Sequence, residues 1–223
     1  TFPSDAGTGG GEDKPNQPTA GPAISAPKRT AAGNAPTLPE FPRDLQPGLI
    51  ATMQPVDAGA PQSHYILSPS YIGQPKRDGH RDVLFATPTA TFHQSRSTSG
   101  LGEISHEFEQ AVMAAAKETG PFILDGERYY RSVTGSEHRT AAHAATANAN
   151  AGSPAAPPVP VYAAFEAIYA NSRDLRDATK EERVEAATGP VALIASHLPE
   201  GGPQIEAVPP ARNTEEKRAV SQT

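Results

Sequence analysis

Cysteine is absent from these 223 residues, and tryptophan with it. Without cysteine there are no disulfides, no thiolate nucleophile and no zinc site built on Cys. Without Trp, in a chain with 6% aromatics, a small domain makes a poor sugar binder. Carboxylates such as Glu107, Glu109, Asp125 and Glu127 therefore do not suggest a glycosidase pair, which needs two carboxyls ~5–10 Å apart across a sugar cleft. Clustered positive charge is also scarce. The formal net charge is −6, the pI is about 5.6, and the longest basic stretch is Pro27-Lys28-Arg29. Such a chain has no general attraction to phosphate backbones, so no nucleic-acid partner is expected. Long apolar runs are missing as well. Val191–Ala195 falls far short of the ~20 residues that span a bilayer, so no membrane span is expected. The sequence opens on Thr without a basic-then-apolar leader, which leaves cytoplasmic and exported locations both open.

Histidine is present seven times, yet never as His-Glu-x-x-His. The segment His106–Gln110 begins that pattern and then places Gln where the second ligand belongs. His138 and His143 are five apart, one off the spacing that converges two ligands on a helix. No metal and no cofactor is expected. The triplet His80-Arg81-Asp82 follows a Lys-Arg-Asp-Gly turn and reads as a solvated turn, because the companions of a kinase catalytic loop are missing.

Proline and glycine are plentiful, at 24 and 19 residues. They concentrate in residues 1–60, where few large apolar groups offset a chain entropy of ~1–2 kcal/mol per residue. That segment reads as a mostly disordered Pro/Gly-rich arm, with Phe41, Leu45 and Ile50 able to lie across a core. Residues 61–200 read as one domain and 201–223 as a disordered tail. Within the domain, strands are expected over 64–72, 82–93, 121–133 and 190–195. An Asp125-Gly126 type I′ turn should fold 122–133 into a hairpin. The apolar spacing of Ile104, Phe108, Val112 and Ala115 marks a helix over 103–118, closed by Thr119-Gly120-Pro121. Val161, Phe165 and Ile168 suggest a second helical stretch over 161–187, with Thr179–Glu182 spaced as a capping box. Thr188-Gly189-Pro190 should end it. Residues 140–158, rich in Ala, Asn and Pro, read as a linker or long surface loop. The expected fold class is α+β: a small mixed or antiparallel sheet with two or three helices packed on one face.

Two segments suggest chemistry. Ser95–Gly102 lies between a strand and a helix start, where backbone N–H groups and the helix dipole favour an anion. Ser95, Arg96, Ser97, Gly100 and Gly102 are the candidate anion binders there, with His93 and Arg96 as candidate catalytic groups. Arg128, Tyr129, Tyr130 and Arg131 alternate along one strand and carry the residue types favoured at protein interfaces. Thirteen Arg against six Lys, with abundant Ala, suggests a GC-rich bacterial or phage genome. The leading expectation is a non-enzymatic protein-interaction or structural assembly module with a protein partner. The alternative is a small secreted effector-type enzyme, a hydrolase or transferase, acting on a phosphate-bearing or nucleotide substrate through the 93–102 loop.

Overall fold

A computed structural model describes residues 37–50, 62–95 and 105–221. They form a mixed α/β fold, as expected. Seven strands make one curled sheet: β1 (His80–Ala86), β2 (Thr91–Ser95), β3 (Phe122–Arg131), β4 (Glu137–His138), β5 (Val159–Ala170), β6 (Arg173–Asp174) and β7 (Gln204–Ala207). The order is β2-β1-β3-β5-β6, with β4 added to β3 and β7 to β5. Every pairing is antiparallel except β5–β7, which is parallel. Five helices accompany it: α1 (Gln62–Leu67), α2 (His106–Thr119), α3 (Ala141–Asn150), α4 (Lys180–His197) and α5 (Thr214–Val220).

Strand alternation divides the core in two. On one face Leu84, Phe122, Leu124 and Tyr162 pack against Phe108, Val112 and Ala115 of α2 and Ala187, Val191 and Ile194 of α4. On the other, Val83, Phe85, Ile123 and Tyr169 are covered by Leu38, Phe41 and Leu45. The expected crossing of the core by Phe41 and Leu45 is therefore present. The expected disorder over 1–36 and over 51–60 falls on residues outside the described ones.

Helix α2 follows its sequence signals. Ser105 caps it by accepting from the Phe108 N–H at 3.2 Å, and Gly120 ends it at φ 80°. Elsewhere the structure corrects the sequence reading. Asp125-Gly126 makes no turn. The strand β3 runs straight through it, paired to Asp82 on one side and to Ala164 on the other. The glycine serves close approach: a Cβ at 126 would sit 2.5 Å from the Ala163 carbonyl oxygen and 2.8 Å from the Tyr162 ring. Residues 159–170 form a strand, not a helix. Register shifts opposite Ile123/Leu124 and Asp125/Gly126 leave Ile168 and Phe165 as extra residues in β5. These bulges break the period of two, and the surviving spacing imitates a helical face.

Helix α4 does not stop at Thr188-Gly189-Pro190, so the expected strand over 190–195 is its second half. An α-conformation before proline normally sets a Cβ against the pyrrolidine ring. Gly189 has no Cβ, and packing of Val191 and Ile194 secures the rest. Residues 62–67 are helical although rich in β formers, because their context is tertiary: Lys217 of α5 donates to the Ser68 carbonyl at 2.7 Å. The linker over 140–158 and the tail over 201–223 are ordered in large part, as α3, β7 and α5. Asn148, fully buried, accepts from Val133 N–H and donates to the Ala156 carbonyl. Asn213 and Glu216 close a capping box on α5. Short polar side chains replace the apolar period that the sequence reading sought.

Candidate functional site

At the end of the sheet where β3 finishes and β5 begins, the α2 face opens into a cavity of about 780 Å³. Its wall is assembled from distant segments. His80 comes from β1, Arg128 and Tyr130 from β3, Arg139 from the β4–α3 connection, and Pro160 and Tyr162 from β5. The first turns of two helices complete it, with Ser105–Phe108 of α2 and Thr140–Ala141 of α3. Each helix is capped by a hydroxyl: Ser105 accepts from Phe108 N–H and Thr140 from His143 N–H. Both helix dipoles thus present their positive ends to one volume. Glu107 is the single carboxylate among the lining residues.

Arg128 is held from behind by Asp82. The Arg128 Nε lies 2.9 Å from Asp82 Oδ2, and the Asp82 side chain has no exposure at all. The same oxygen lies 2.6 Å from Nδ1 of His93, a ring with 6% exposure. A carboxylate accepts, so Nδ1 carries the proton in this bond. Among the described residues, Asp82 Oδ1 and His93 Nε2 are buried with no hydrogen-bond partner. His93 stacks at 6.4 Å against Phe108, which in turn lies 6.0 Å from Tyr162. The Tyr162 hydroxyl is wholly buried between the Asp82 and Leu124 carbonyls, at 3.0 and 3.1 Å. Burial, followed by the nearby Asp82 and Asp125 charges, raises its pKa well above the usual tyrosine value.

His80 sits beside the two arginines. Its pKa is lowered by desolvation first and then by the Arg139 and Arg128 charges, with Asp78 opposing. Among the described residues Arg139 pairs with Asp78, at 3.3 Å, and both side chains are more than half exposed.

The sequence-based candidates divide as follows. His93 is brought to Asp82 and Arg128. Ser95 ends β2, while Arg96, Ser97, Gly100 and Gly102 lie outside the described residues. The Arg128–Arg131 quartet is split by alternation. Arg128, Tyr129 and Tyr130 all border the cavity, but Tyr129 also serves the other face. The Tyr129 hydroxyl donates to Glu206 at 3.0 Å and accepts from Arg131 at 2.6 Å, and Arg131 also meets Glu206 and Gln204, so this pair ties β3 to β7. Burial and then Glu206 push the Tyr129 hydroxyl pKa up. Asp82, read from sequence both as the end of a solvated His80–Asp82 turn and as the first residue of the 82–93 strand, is a fully buried member of β1. Its signal was the apolar run Val83–Ala86 immediately after it, which makes Asp82 a strand residue. Arg139 had no signal at all.

A second set of charges lies along the Asp125–Glu166 pair of β3 and β5. Arg81 bonds Asp125 and stacks over Phe165, while Lys180 and Arg183 of α4 bond Glu166 at 2.7 and 2.9 Å. Burial raises the Asp125 pKa against the pull of Arg81. Burial also pushes Glu166 upward, but its bonds to Lys180 and Arg183 outweigh this and the net shift is downward. Among the described residues there is no group of three or more His, Cys, Asp or Glu placed to hold a metal ion. No described helix is long and apolar enough to cross a membrane.

No protein-family model matches the chain, and no curated protein matches its sequence. Solved structures do resemble it. The ligase domain of LigD from M. tuberculosis is similar at a TM-score of 0.45 and 16% identity, covering 68% of this chain and 43% of that one. Mycobacterial DNA ligase D complexed with ATP and MES is similar at 0.43 and 17%, covering 68% and 44%. The chain thus spans less than half the length of either. The expectation of a non-enzymatic interaction or assembly module is corrected by this finding, because the structures it resembles are ligases. A likeness of this degree assigns no chemistry to the chain.

Proposed function

We propose that the cavity at the β3–β5 end of the sheet binds a small organic anion, with Arg128 and Arg139 as its cationic grip. Arg128 carries the reading: a guanidinium on the cavity wall is backed by a carboxylate of no exposure. Taking a carboxylate out of water is costly, and here the cost fixes where the guanidinium stands. Arginine is the side chain best shaped to meet a carboxylate or phosphate through parallel N–H bonds. The rest of the wall agrees. His80 and Arg139 add donors, two helix N-termini add positive potential, and Pro158, Pro160 and Pro203 give the apolar surface usual in ligand pockets. The volume falls within the range of small-molecule sites.

The test is an NMR titration of the full chain with a set of small aromatic carboxylates and phosphates. Amide shifts gathered at His80, His106 and Arg128–Tyr130, and lost in Arg128→Met shown to be folded by circular dichroism, are the expected result. Absence of any shift there at millimolar concentrations would overturn the reading.

A further inference from the structure

This inference rests on the reading of the cavity as an anion site and narrows its ligand. We infer that the ligand is a phosphate monoester borne on a flat, largely apolar group. Three observations lead there. The donors approach from separate elements: Arg128 from β3, Arg139 from the β4–α3 connection, and His80 from β1. A carboxylate is planar, and one guanidinium edge satisfies its two oxygens. A phosphate monoester presents three oxygens in a tetrahedral array and carries about −1.5 to −2 charge, which calls for donors on several sides.

The second observation is Arg139. Its pairing with Asp78 is long, at 3.3 Å, and both partners are more than half exposed. Exposed pairs of this kind are weak, so Arg139 can leave Asp78 for a stronger acceptor at little cost. Arg128, anchored on buried Asp82, has no such freedom. The site therefore combines one fixed and one movable guanidinium. Together they supply the two charges that a dianion needs and a monoanion does not.

The third is the shape of the remainder. Pro158, Pro160 and Pro203 border the cavity with accessible rings, over a closed floor of Phe108 and Tyr162, which are almost wholly buried. These surfaces are flat and lack charge. At about 780 Å³ the cavity is far larger than an inorganic oxyanion. A bare phosphate would leave this apolar half in contact with water.

Three probes separate the parts of the proposal in calorimetric titrations of the full chain: 1-naphthyl phosphate, 1-naphthoate and orthophosphate. The expected result is that 1-naphthyl phosphate binds about tenfold tighter than either of the others, or better. Arg139→Gln, a change at an exposed position, should weaken 1-naphthyl phosphate by a larger factor than 1-naphthoate and so remove most of that advantage. Equal affinity for 1-naphthoate and 1-naphthyl phosphate would overturn the phosphate assignment and leave the anion site standing. Equal affinity for orthophosphate and 1-naphthyl phosphate would overturn the flat group. An Arg139→Gln variant with undiminished selectivity would overturn the movable guanidinium, and with it the phosphate argument. If none of the three binds at millimolar concentration, the anion site itself fails.

Discussion

Replacing Asp82 by Asn tests the centre of the site, because it removes a charge while keeping shape and volume. In the folded chain Asp82 has no exposure, touches His93 at 2.6 Å and stands 2.9 Å from the Arg128 Nε. Asn keeps an acceptor for His93, so that hydrogen bond survives. The charge partner of Arg128 does not. Breaking a buried ion pair from one side costs about 3–5 kcal/mol when the remaining charge is fully enclosed. Arg128 retains 18% exposure, so water recovers part of the loss, and about 2–4 kcal/mol is expected. For a chain of this size that is a fall of roughly 5–15 °C in Tm. Urea unfolding followed by circular dichroism, with wild type and variant at pH 7, measures it. The double variant Asp82→Asn/Arg128→Met isolates the pair: its loss should fall short of the summed single losses by about 1–3 kcal/mol. A loss below about 1 kcal/mol for Asp82→Asn, or strictly additive losses, would show that the buried charge does not hold Arg128.

Four further outcomes follow from the same structure. Gly126→Ala should destabilise by about 1–3 kcal/mol or prevent folding, because its Cβ meets a carbonyl oxygen at 2.5 Å; a neutral effect in denaturant unfolding would mean that β3 and β5 are not this close. Tyr162→Phe should cost about 1–3 kcal/mol in the same assay, since its buried hydroxyl serves two strand carbonyls, and an unchanged midpoint would contradict that bonding. Glu166 has a pKa below the usual glutamate value in the fold, so its contribution is present above the unfolded pKa and is lost as pH falls through the lower folded one. Acid titration of stability should therefore be shallower in Glu166→Gln than in wild type, and parallel curves would refute this. His80 has the opposite linkage to ligand: Arg139, Arg128 and burial disfavour its proton, and a bound anion reverses that. Anion affinity should rise as pH falls through the range, below the usual histidine value, in which His80 takes up its proton, with proton uptake in calorimetry; affinity independent of pH would exclude His80 from the site.

Legibility from sequence followed the range of the interactions. Helix α2 was legible because its cap, apolar face and Gly120 stop all lie within sixteen residues. The β character of 82–93 was legible for the same reason, although the structure divides that stretch into β1 and β2. β5 was not, since its bulges exist only in relation to β3. Gly126 has the local chemistry of a turn and the tertiary role of a close contact. Gly189-Pro190 likewise has the local chemistry of a stop, overridden by what α4 buries. Of the site, His93 and Arg128 stand out in the sequence, but their common partner Asp82 reads only as the junction of a solvated turn and a strand. Burial joined them, and burial of a lone acidic residue leaves no periodic trace.

The parallel pairing of β5 with β7 also bears on synthesis of the chain. The Val161–Ala164 edge of β5 is closed by Gln204–Ala207, and these segments are separated by the whole of α4. A ribosome that has delivered residue 170 has made a nearly complete sheet whose long inner strand still shows open N–H and C=O groups along that edge. About forty more residues must be added before the chain covers it, a delay of several seconds at ordinary elongation rates of roughly 5–20 residues per second. In that interval the open edge is a template for any other extended chain. A fragment ending near residue 200 would keep it open permanently. Residues 204–207 thus finish the sheet and take away a template that copies on neighbouring ribosomes could use.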